Sequence, residues 1–411
     1  MSEVKDMSLA PQGEQKIVWA KTHMPVLRSI EKEFSKTKPL SGLKITLSVH
    51  MEAKTAYLCR VLAAAGAEMH VTGCNPLSTQ DDVAAAVAAG GIDVYARRGV
   101  TDEEYERHLI AALSPGPNII IDDGGDLVGL LHTKLQHLLP GVIGGCEETT
   151  TGIHRLRSME RAGTLKFPMV MVNEARCKYL FDNRYGTGQS VWDGINYTTN
   201  LLVAGKDIVV SGYGWCGRGV ASRAKGLGAR VIVTEVDPVR AIEAVMDGHT
   251  VMKMDDAARL GDVFVTTTGC SDIIRREHFE VMKDGAILSN AGHFNVEIDV
   301  ATLSEIALER FHARKDIEGF HMEDGRTLFV LAEGRLVNIA AGNGHPVEIM
   351  DMSFSIQALS AAYIAANGDT LSAGVVPVPI EIDDDVAARK LRAMGFEIDS
   401  LSDAQRAYLD K

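Results

Sequence analysis

Residues 119–126 read IIIDDGGD, an apolar run ending in Asp122, Asp123 and Asp126, three carboxylates within five positions. Carboxylates this close raise one another's pKa, so the grouping is costly unless water, a cation or a hydroxyl-rich ligand is near. Three further clusters have a similar makeup. SVHME carries His50 and Glu52, GCEETTTG carries Glu147, Glu148, Thr149, Thr150 and Thr151, and KYLFDNRYG carries Lys178, Asp182 and Asn183. Carboxylates, an imidazole and a lysine are the groups of proton transfer. A row of threonines beside them suits a polyhydroxylated ligand such as a ribose. Each cluster has a plainer reading when taken alone. A lone histidine after a strand is more often structural, EETTTG has the residue types of a helix start, and Lys178 and Asp182 have the i,i+4 spacing of a surface ion pair worth little. His293 in SNAGHFNVEID and His345 in GNGHP sit in glycine-containing turns, where turn chemistry is the plainer reading.

The elements around these clusters alternate. LKITLSV, EMHVT, IDVYA and PNIIID have strand character. Between them EAKTAYLCRVLAAAG, TQDDVAAAVAAGG (with Thr79 as N-cap) and TDEEYERHLIAAL have helix character. A second series starts near residue 207 with DIVVSG, ARVIVTE, DVFVTTTG and GAILSNAG. This alternation predicts α/β architecture: two Rossmann-like, doubly wound parallel-sheet domains with a hinge between them and a small C-terminal tail. The expected division is 1–185 for the substrate side, completed by the apolar helical stretch 346–377, then 186–345 for the nucleotide side and 378–411 for a charged helical tail. In open α/β sheets ligands gather at the carboxyl ends of strands, where the four clusters fall.

IVVSGYGWCGRG places Gly212, Gly214 and Gly217 after a strand and before a helix, and Glu235 follows 18 residues after Gly217 at the end of the next strand. With that context the pattern is a dinucleotide fingerprint rather than a chance glycine turn. Gly212 permits the turn, Gly214 lets backbone approach a pyrophosphate, and the helix N-terminus offers free N–H groups. Glu235 would accept from a ribose 2′-OH, which favours NAD over NADP.

The net charge of −13 disfavours nucleic acid and anionic membranes as partners. No apolar run reaches the roughly 20 residues of a membrane span, and the polar, acidic start has no signal-peptide pattern. The six cysteines form no CxxC pair, so neither a disulfide framework nor a metal centre is expected. A cytoplasmic protein is the expectation.

STQDD, DDGGDL, EETTTG, FDNRYG, GYGWCGRG, TTTGC, GHFNVEID and LAEGRLVN together resemble the S-adenosylhomocysteine hydrolase family, from about residue 20 to about 409. The resemblance implies reversible cleavage of a nucleoside thioether to adenosine and homocysteine. Bound NAD oxidises the ribose 3′-OH, which acidifies the C4′ proton and makes the thiol a feasible leaving group; water adds and the ketone is reduced back. It places catalysis on His50, Asp123, Glu148, Lys178, Asp182 and His293, with a lowered pKa expected for Lys178. Substrate contacts fall to Glu52, Lys54, Thr55, Thr150, His345, Met350 and Phe354, with His345 and Phe294 as an entry gate. Cofactor contacts fall to Thr149, Thr150, Thr151, Asn183, Gly212, Gly214, Gly217, Glu235, Thr268 and Asn338. A homotetramer is implied.

Two departures qualify the resemblance. MEAKTA after His50 is similar to the short archaeal and Thermotoga-like branch, some of which favours S-inosylhomocysteine; there Glu52 suits an adenine amine and Lys54, a donor only, suits a hypoxanthine O6. Asn343 in GNGHP is also unlike the residue types expected there. The last residues, AQRAYLDK, lack the Lys- and Tyr-containing tail of long family forms, so NAD retention is expected to be weaker or met by other contacts. The alternatives are therefore an inosyl-substrate hydrolase and, more remotely, an inactive nucleotide-binding regulatory homologue.

Overall fold

In the computed structural model, which describes residues 2–409, two sheets divide the chain. The first is built from β1 (Lys44–Ser48), β2 (Glu68–Thr72), β3 (Asp93–Tyr95), β4 (Ile119–Asp122), β5 (Gly144–Glu147) and β6 (Pro168–Met171). Their order is β3-β2-β1-β4-β5-β6, all parallel. The second contains β7 (Asp207–Ser211), β8 (Arg230–Thr234), β9 (Thr250–Val251), β10 (Val263–Thr266), β11 (Ile287–Asn290), β12 (Ala307–Arg314), β13 (Ile317–Met322) and β14 (Thr327–Leu331). Its parallel part runs β9-β8-β7-β10-β11-β14. The strand β13 then pairs antiparallel with both β14 and β12, an edge the sequence pattern does not announce. A late strand, β15 (Gly374–Pro377), returns to the first sheet beside β6.

Short Ile- and Val-rich strands buried on both faces are what a parallel sheet under helices requires. Ile119, Ile120 and Ile121 of β4 and Val209 and Val210 of β7 have no exposed surface. In each sheet the winding reverses between the first strand and its fourth-formed neighbour, β1/β4 and β7/β10, which opens a crevice at the carboxyl ends.

Helix Val347–Asn367 leaves the second unit and packs into the first, against β4, β5 and the helices Pro25–Thr37 and Ala53–Ala64. It is apolar around its whole circumference, as a core helix is, and by length and composition it alone among the described residues could cross a membrane. It is mostly buried inside the protein, and its buried Asp351, Ser353 and Gln357 bond to neighbouring elements. The helix Ile380–Met394 is anchored as well. Asp383 accepts from the backbone N–H groups of Arg176 and Cys177, and Lys390 pairs with Asp351 at 3.0 Å. Asp403–Leu409 is an exposed helix.

The predicted N-cap at Thr79 is not realised. The helix starts at Asp81 with Gln80 in the cap position, because the Gln80 N–H is drawn to the Met51 carbonyl beyond β1 and Thr79 is buried ahead of the helix.

Candidate active site

A cavity of about 810 Å³ lies between the two crevices. It is lined by His50, Glu52, Thr55, Asp123, Glu148, Thr149, Thr150, Thr151, Lys178, Asp182 and Asn183 from the chain up to the second unit, by Gly212, Gly214, Glu235, Thr268, His293, Asn338 and His345 from the second unit, and by Met350 and Phe354 beyond it. Of the residues expected there, Lys54, Gly217 and Phe294, the last expected at the entry, are not in the lining.

The turn after β4 shows how the aspartates divide. Asp122 ends the strand and accepts from the N–H groups of Val128 and Asp123, so it shapes the turn. Asp126 pairs with Arg155 and accepts from Tyr105. Asp123 alone faces the cavity. Gly124 has φ +113°, and a Cβ there would lie 2.5 Å from Nε2 of His293, so glycine is what lets the histidine of the second unit reach this turn. His293 Nδ1 lies 3.8 Å and His50 Nε2 3.6 Å from Asp123. Cys74 Sγ lies 3.2 Å from both His50 Nδ1 and Asp123 Oδ2. His50, Cys74 and Asp123 thus group three metal-ligand types within 4.8 Å, although spacing along the sequence showed no such set. Burial holds the His50 imidazole down to about 4 despite the nearby Asp123 charge, so it is neutral at pH 7.

The two glutamates of EETTTG also separate. Glu147, the last residue of β5, accepts from the N–H groups of Gly124 and Thr149 and so ties the two turns together. Burial, then Asp122 and Asp123, push its carboxyl well above the usual range. Glu148 reaches the cavity, accepts from Gln357 and lies 3.6 Å from Lys178. Burial pushes it up to about 7, partly offset by Lys178. Helix Thr150–Arg161 then begins with Thr149 in the cap position but without a side-chain capping bond.

Lys178 precedes a π-helical turn, Tyr179–Gly186, a rare backbone form often found at functional sites. It is no surface ion pair. Buried with Asp182 at 3.3 Å, it donates to Asn183 Oδ1 at 2.8 Å and Asn173 Oδ1 at 3.2 Å. Asn173 also donates to Thr150, so it binds the lysine to the threonine row. Asp182 is bonded in turn to His345 Nδ1 and to Ser353. Burial disfavours its charge, but Lys178 and His345 outweigh burial and keep the carboxyl well below the usual range. The same balance corrects the expectation for Lys178: burial lowers its pKa, yet Asp182 and Glu148, followed by Asp123, hold it above the ordinary lysine value. His345 also meets Thr187 at 3.2 Å, whereas Phe294 lies against His293 and Arg155.

Opposite these charges the second crevice is backbone. Gly212 has φ +93°, and a Cβ on Gly217 would lie 1.9 Å from the Gly212 carbonyl oxygen. Around Gly214 only Arg240 Nη1, at 3.8 Å, comes near a Cβ position, leaving a cradle at the N-terminus of helix Trp215–Gly226. Glu235 accepts from the N–H groups of Tyr213, Val236 and Asp237 and lines the cavity. Thr268 is held by Glu297, a buried carboxylate that also accepts from Gly269. Asn338 donates to Ser190, while its Oδ1 is buried without a protein partner. A dinucleotide fits these features: a glycine cradle and helix terminus for a pyrophosphate, an acceptor for a ribose, and an orphaned carbonyl for a carboxamide.

Asn173, Ser353, Gln357, Cys74 and Glu297 are site-supporting residues that spacing alone did not single out. Only Ser353 and Gln357 carried a signal, as polar residues i,i+4 in a largely apolar helix that also carries Asp351 and Ser355.

Comparison with known proteins gives the same picture. The sequence model described as S-adenosyl-L-homocysteine hydrolase matches residues 1–139. The one described as S-adenosyl-L-homocysteine hydrolase, NAD binding domain, matches residues 183–344. The chain is 58% identical to S-inosyl-L-homocysteine hydrolase of Methanococcus maripaludis, covering 100% of this chain and 98% of that protein. It is 57% identical to adenosylhomocysteinase of Thermococcus kodakarensis, covering 99% and 97% respectively. Among solved structures, a dipicolinate synthase chain of Bacillus halodurans has a TM-score of 0.50 at 15% identity, covering 80% of this chain and 99% of that one; the likeness is one of fold.

Proposed function

The chain belongs to the S-adenosyl-L-homocysteine hydrolase family, and from that premise we propose that it reversibly hydrolyses S-adenosyl-L-homocysteine to adenosine and L-homocysteine with NAD as cofactor. The observation that carries this reading is the buried Lys178, set between Asp182 and Glu148 in one cavity with Asp123, His50 and the glycine turn. When bound, NAD supplies a hydride acceptor for a ribose hydroxyl and the means to return the hydride. Gly212, Gly214, Glu235, Thr268 and Asn338 would hold it, with Asn183 and the Thr149–Thr151 row beside it.

The protein's own groups manage the protons. Lys178 rests as an ammonium and can take the 3′-hydroxyl proton only after passing on its own. Glu148, pushed up to about 7, is the neighbouring group that takes a proton near neutrality. Asp182, kept ionised, holds the lysine in place through this exchange. On the other side Asp123 and His50 share the second proton: the one that takes it from C4′ returns it to the departing sulfur, with His293 3.8 Å from Asp123. Thr150 and Glu148 hold ribose hydroxyls, and Glu52, Thr55, Met350 and Phe354 face the base.

One observation favours a second reading, S-inosyl-L-homocysteine as substrate: relatives carrying that name match as well as those named adenosylhomocysteinase. Turnover of the two thioethers, followed by release of homocysteine thiol, decides. The expected result is faster turnover of the adenosyl compound; a strong inosyl preference moves the assignment to the second reading, and turnover of neither overturns both.

The division 1–185 with 346–377, 186–345 and 378–411 is proposed as substrate unit, NAD unit and C-terminal extension. We also propose a cytoplasmic homotetramer. Val236, Val239, Ile242, Val245 and Met246 present an exposed apolar face, at 56–99% exposure, of the kind that contacts between protomers cover.

A further inference from the structure

We propose that Lys54 is a positioning residue that straps the His345 loop to Glu52, and is not a reader of the base. The inference rests on the reading of the cavity as the substrate site. An ammonium has three N–H donors and no acceptor. Lys54 Nζ directs them to the carbonyl of Asn343 at 2.9 Å, the carbonyl of His345 at 2.7 Å and Oε2 of Glu52 at 3.0 Å. Its side chain is 5% exposed and lies behind the cavity wall, while Glu52 and Gly344 form that wall. A donor offered to a base oxygen would have to be withdrawn from one of these acceptors, leaving a desolvated polar group unpaired.

The two carbonyls bracket Gly344, which has φ +70°, so one side chain fixes the conformation of the turn. That turn delivers the His345 ring to Asp182, which faces Lys178 at 3.3 Å. Lys54 lies in the first turn of helix Ala53–Ala64 of the first unit, and the loop follows β14 and helix Val337–Ala340 of the second. The strap therefore joins the two units at the cavity rim and links the base side to the ribose-side lysine. Glu52 Oε2 is held twice, by Lys54 Nζ and by the Lys54 N–H, which leaves Oε1 for a donor on the base.

The test uses the full-length, NAD-containing protein with Lys54→Met and Lys54→Arg. Turnover is measured on S-adenosyl- and S-inosyl-homocysteine, and amide hydrogen exchange over residues 341–346 without substrate. For Lys54→Met we expect kcat to fall on the order of tenfold to a hundredfold on both substrates, as misplacement remote from the chemistry does. The ratio between substrates should stay within about twofold, KM should change less than kcat, and exchange over 341–346 should quicken. Lys54→Arg should restore part of the rate and of the protection. A shift of substrate preference with unchanged exchange shows that Lys54 reads the base and overturns the proposal, as does no change in either. Lys54→Gln serves if the methionine variant does not fold. If the unaltered protein turns over neither thioether, the proposed function falls, yet the exchange comparison still decides whether the strap exists.

Discussion

The two sheets wind in the same order and open their crevices at the same place, yet they fill them with different material. The first sets ionisable side chains at its strand ends: His50 after β1, Asp123 after β4, Glu148 after β5 and Lys178 beyond β6. The second sets backbone there, a glycine turn after β7 and a threonine–glycine loop after β10, with Glu235 and Glu297 bonded to main-chain N–H groups. The difference follows from what each must do. Moving protons needs groups whose pKa values are pushed apart by burial and by one another. Holding a pyrophosphate needs close backbone approach and free N–H groups. A scaffold of one topology thus carries a charged network in one half, where every member depends on the rest, and a steric cradle in the other.

That contrast can be broken most visibly at Lys178. Lys178→Met removes the cation held between Asp182 and Glu148. The expectation is a loss of kcat of about 10²–10⁴, the span of general acid–base contributions, with NAD content of the purified protein retained. Gly217→Ala should do the reverse. Its Cβ would meet the Gly212 carbonyl at 1.9 Å and force the turn to move. We expect destabilisation of about 1–3 kcal/mol from overpacking and loss of bound nucleotide, measured on the denatured protein. Nucleotide loss in Lys178→Met, or full retention in Gly217→Ala, would erase the distinction.

Smaller effects separate groups within the charged half. His50 titrates at about 4 in the folded protein against 6.5 when unfolded. The folded state binds fewer protons in that window, so the stability is present above pH 6.5 and is lost as pH falls towards 4. Glu148 titrates at about 7 against 4.5, so the sign is opposite: its contribution is present below pH 4.5 and is lost as pH rises towards 7. Each pH unit of separation corresponds to about 1.4 kcal/mol. Melting temperature against pH should fall less on the acid side in His50→Gln, and less between pH 4.5 and 7 in Glu148→Gln. Matching profiles for the two variants would contradict the assigned environments.

Legibility in the sequence divides along the same line. The cradle could be read from residue type because its geometry leaves little choice: φ +93° at Gly212 and the 1.9 Å approach at Gly217 demand glycine, and the flanking strand and helix supply context. Both parallel sheets were legible from strand–helix alternation for a comparable reason, since short buried Ile/Val runs serve no other element so well. The charged half was legible as clusters but not as roles. Glu147 and Glu148 are adjacent and identical in type, and only the strand end decides that one ties turns while the other meets the cavity. Asn173 has no local signature; its partners Thr150 and Asn183 lie 23 and 10 residues away. The direction of the Lys178 pKa required the sum over Asp182, Glu148 and Asp123, contributed by three separate segments. The antiparallel pair β12–β13 has no legible pattern, because no residue of β12 is fully buried and its apolar and charged side chains do not alternate into a core.

The smallest expected effect tests how far the charged network extends outward. Asp383, on the C-terminal helix, accepts from the N–H groups of Arg176 and Cys177 at 2.8 Å each, and so caps the short helix that ends at Lys178. Its side chain is 5% exposed, so water does not easily replace it. Asp383→Ala should cost about 1 kcal/mol, the usual worth of a cap, seen as a lower melting temperature. Because Lys178 is gripped independently by Asn183, Asn173 and Asp182, kcat should change by less than about threefold, well below what loss of one kcat-bearing group brings. Asp383→Asn keeps one acceptor oxygen for two N–H groups that Asp383 receives on separate oxygens, so it should recover only part of the stability. A large fall in kcat with little change in melting temperature would mean that the C-terminal helix belongs to the proton network itself, and the boundary between charged machinery and scaffold would have to be drawn further out.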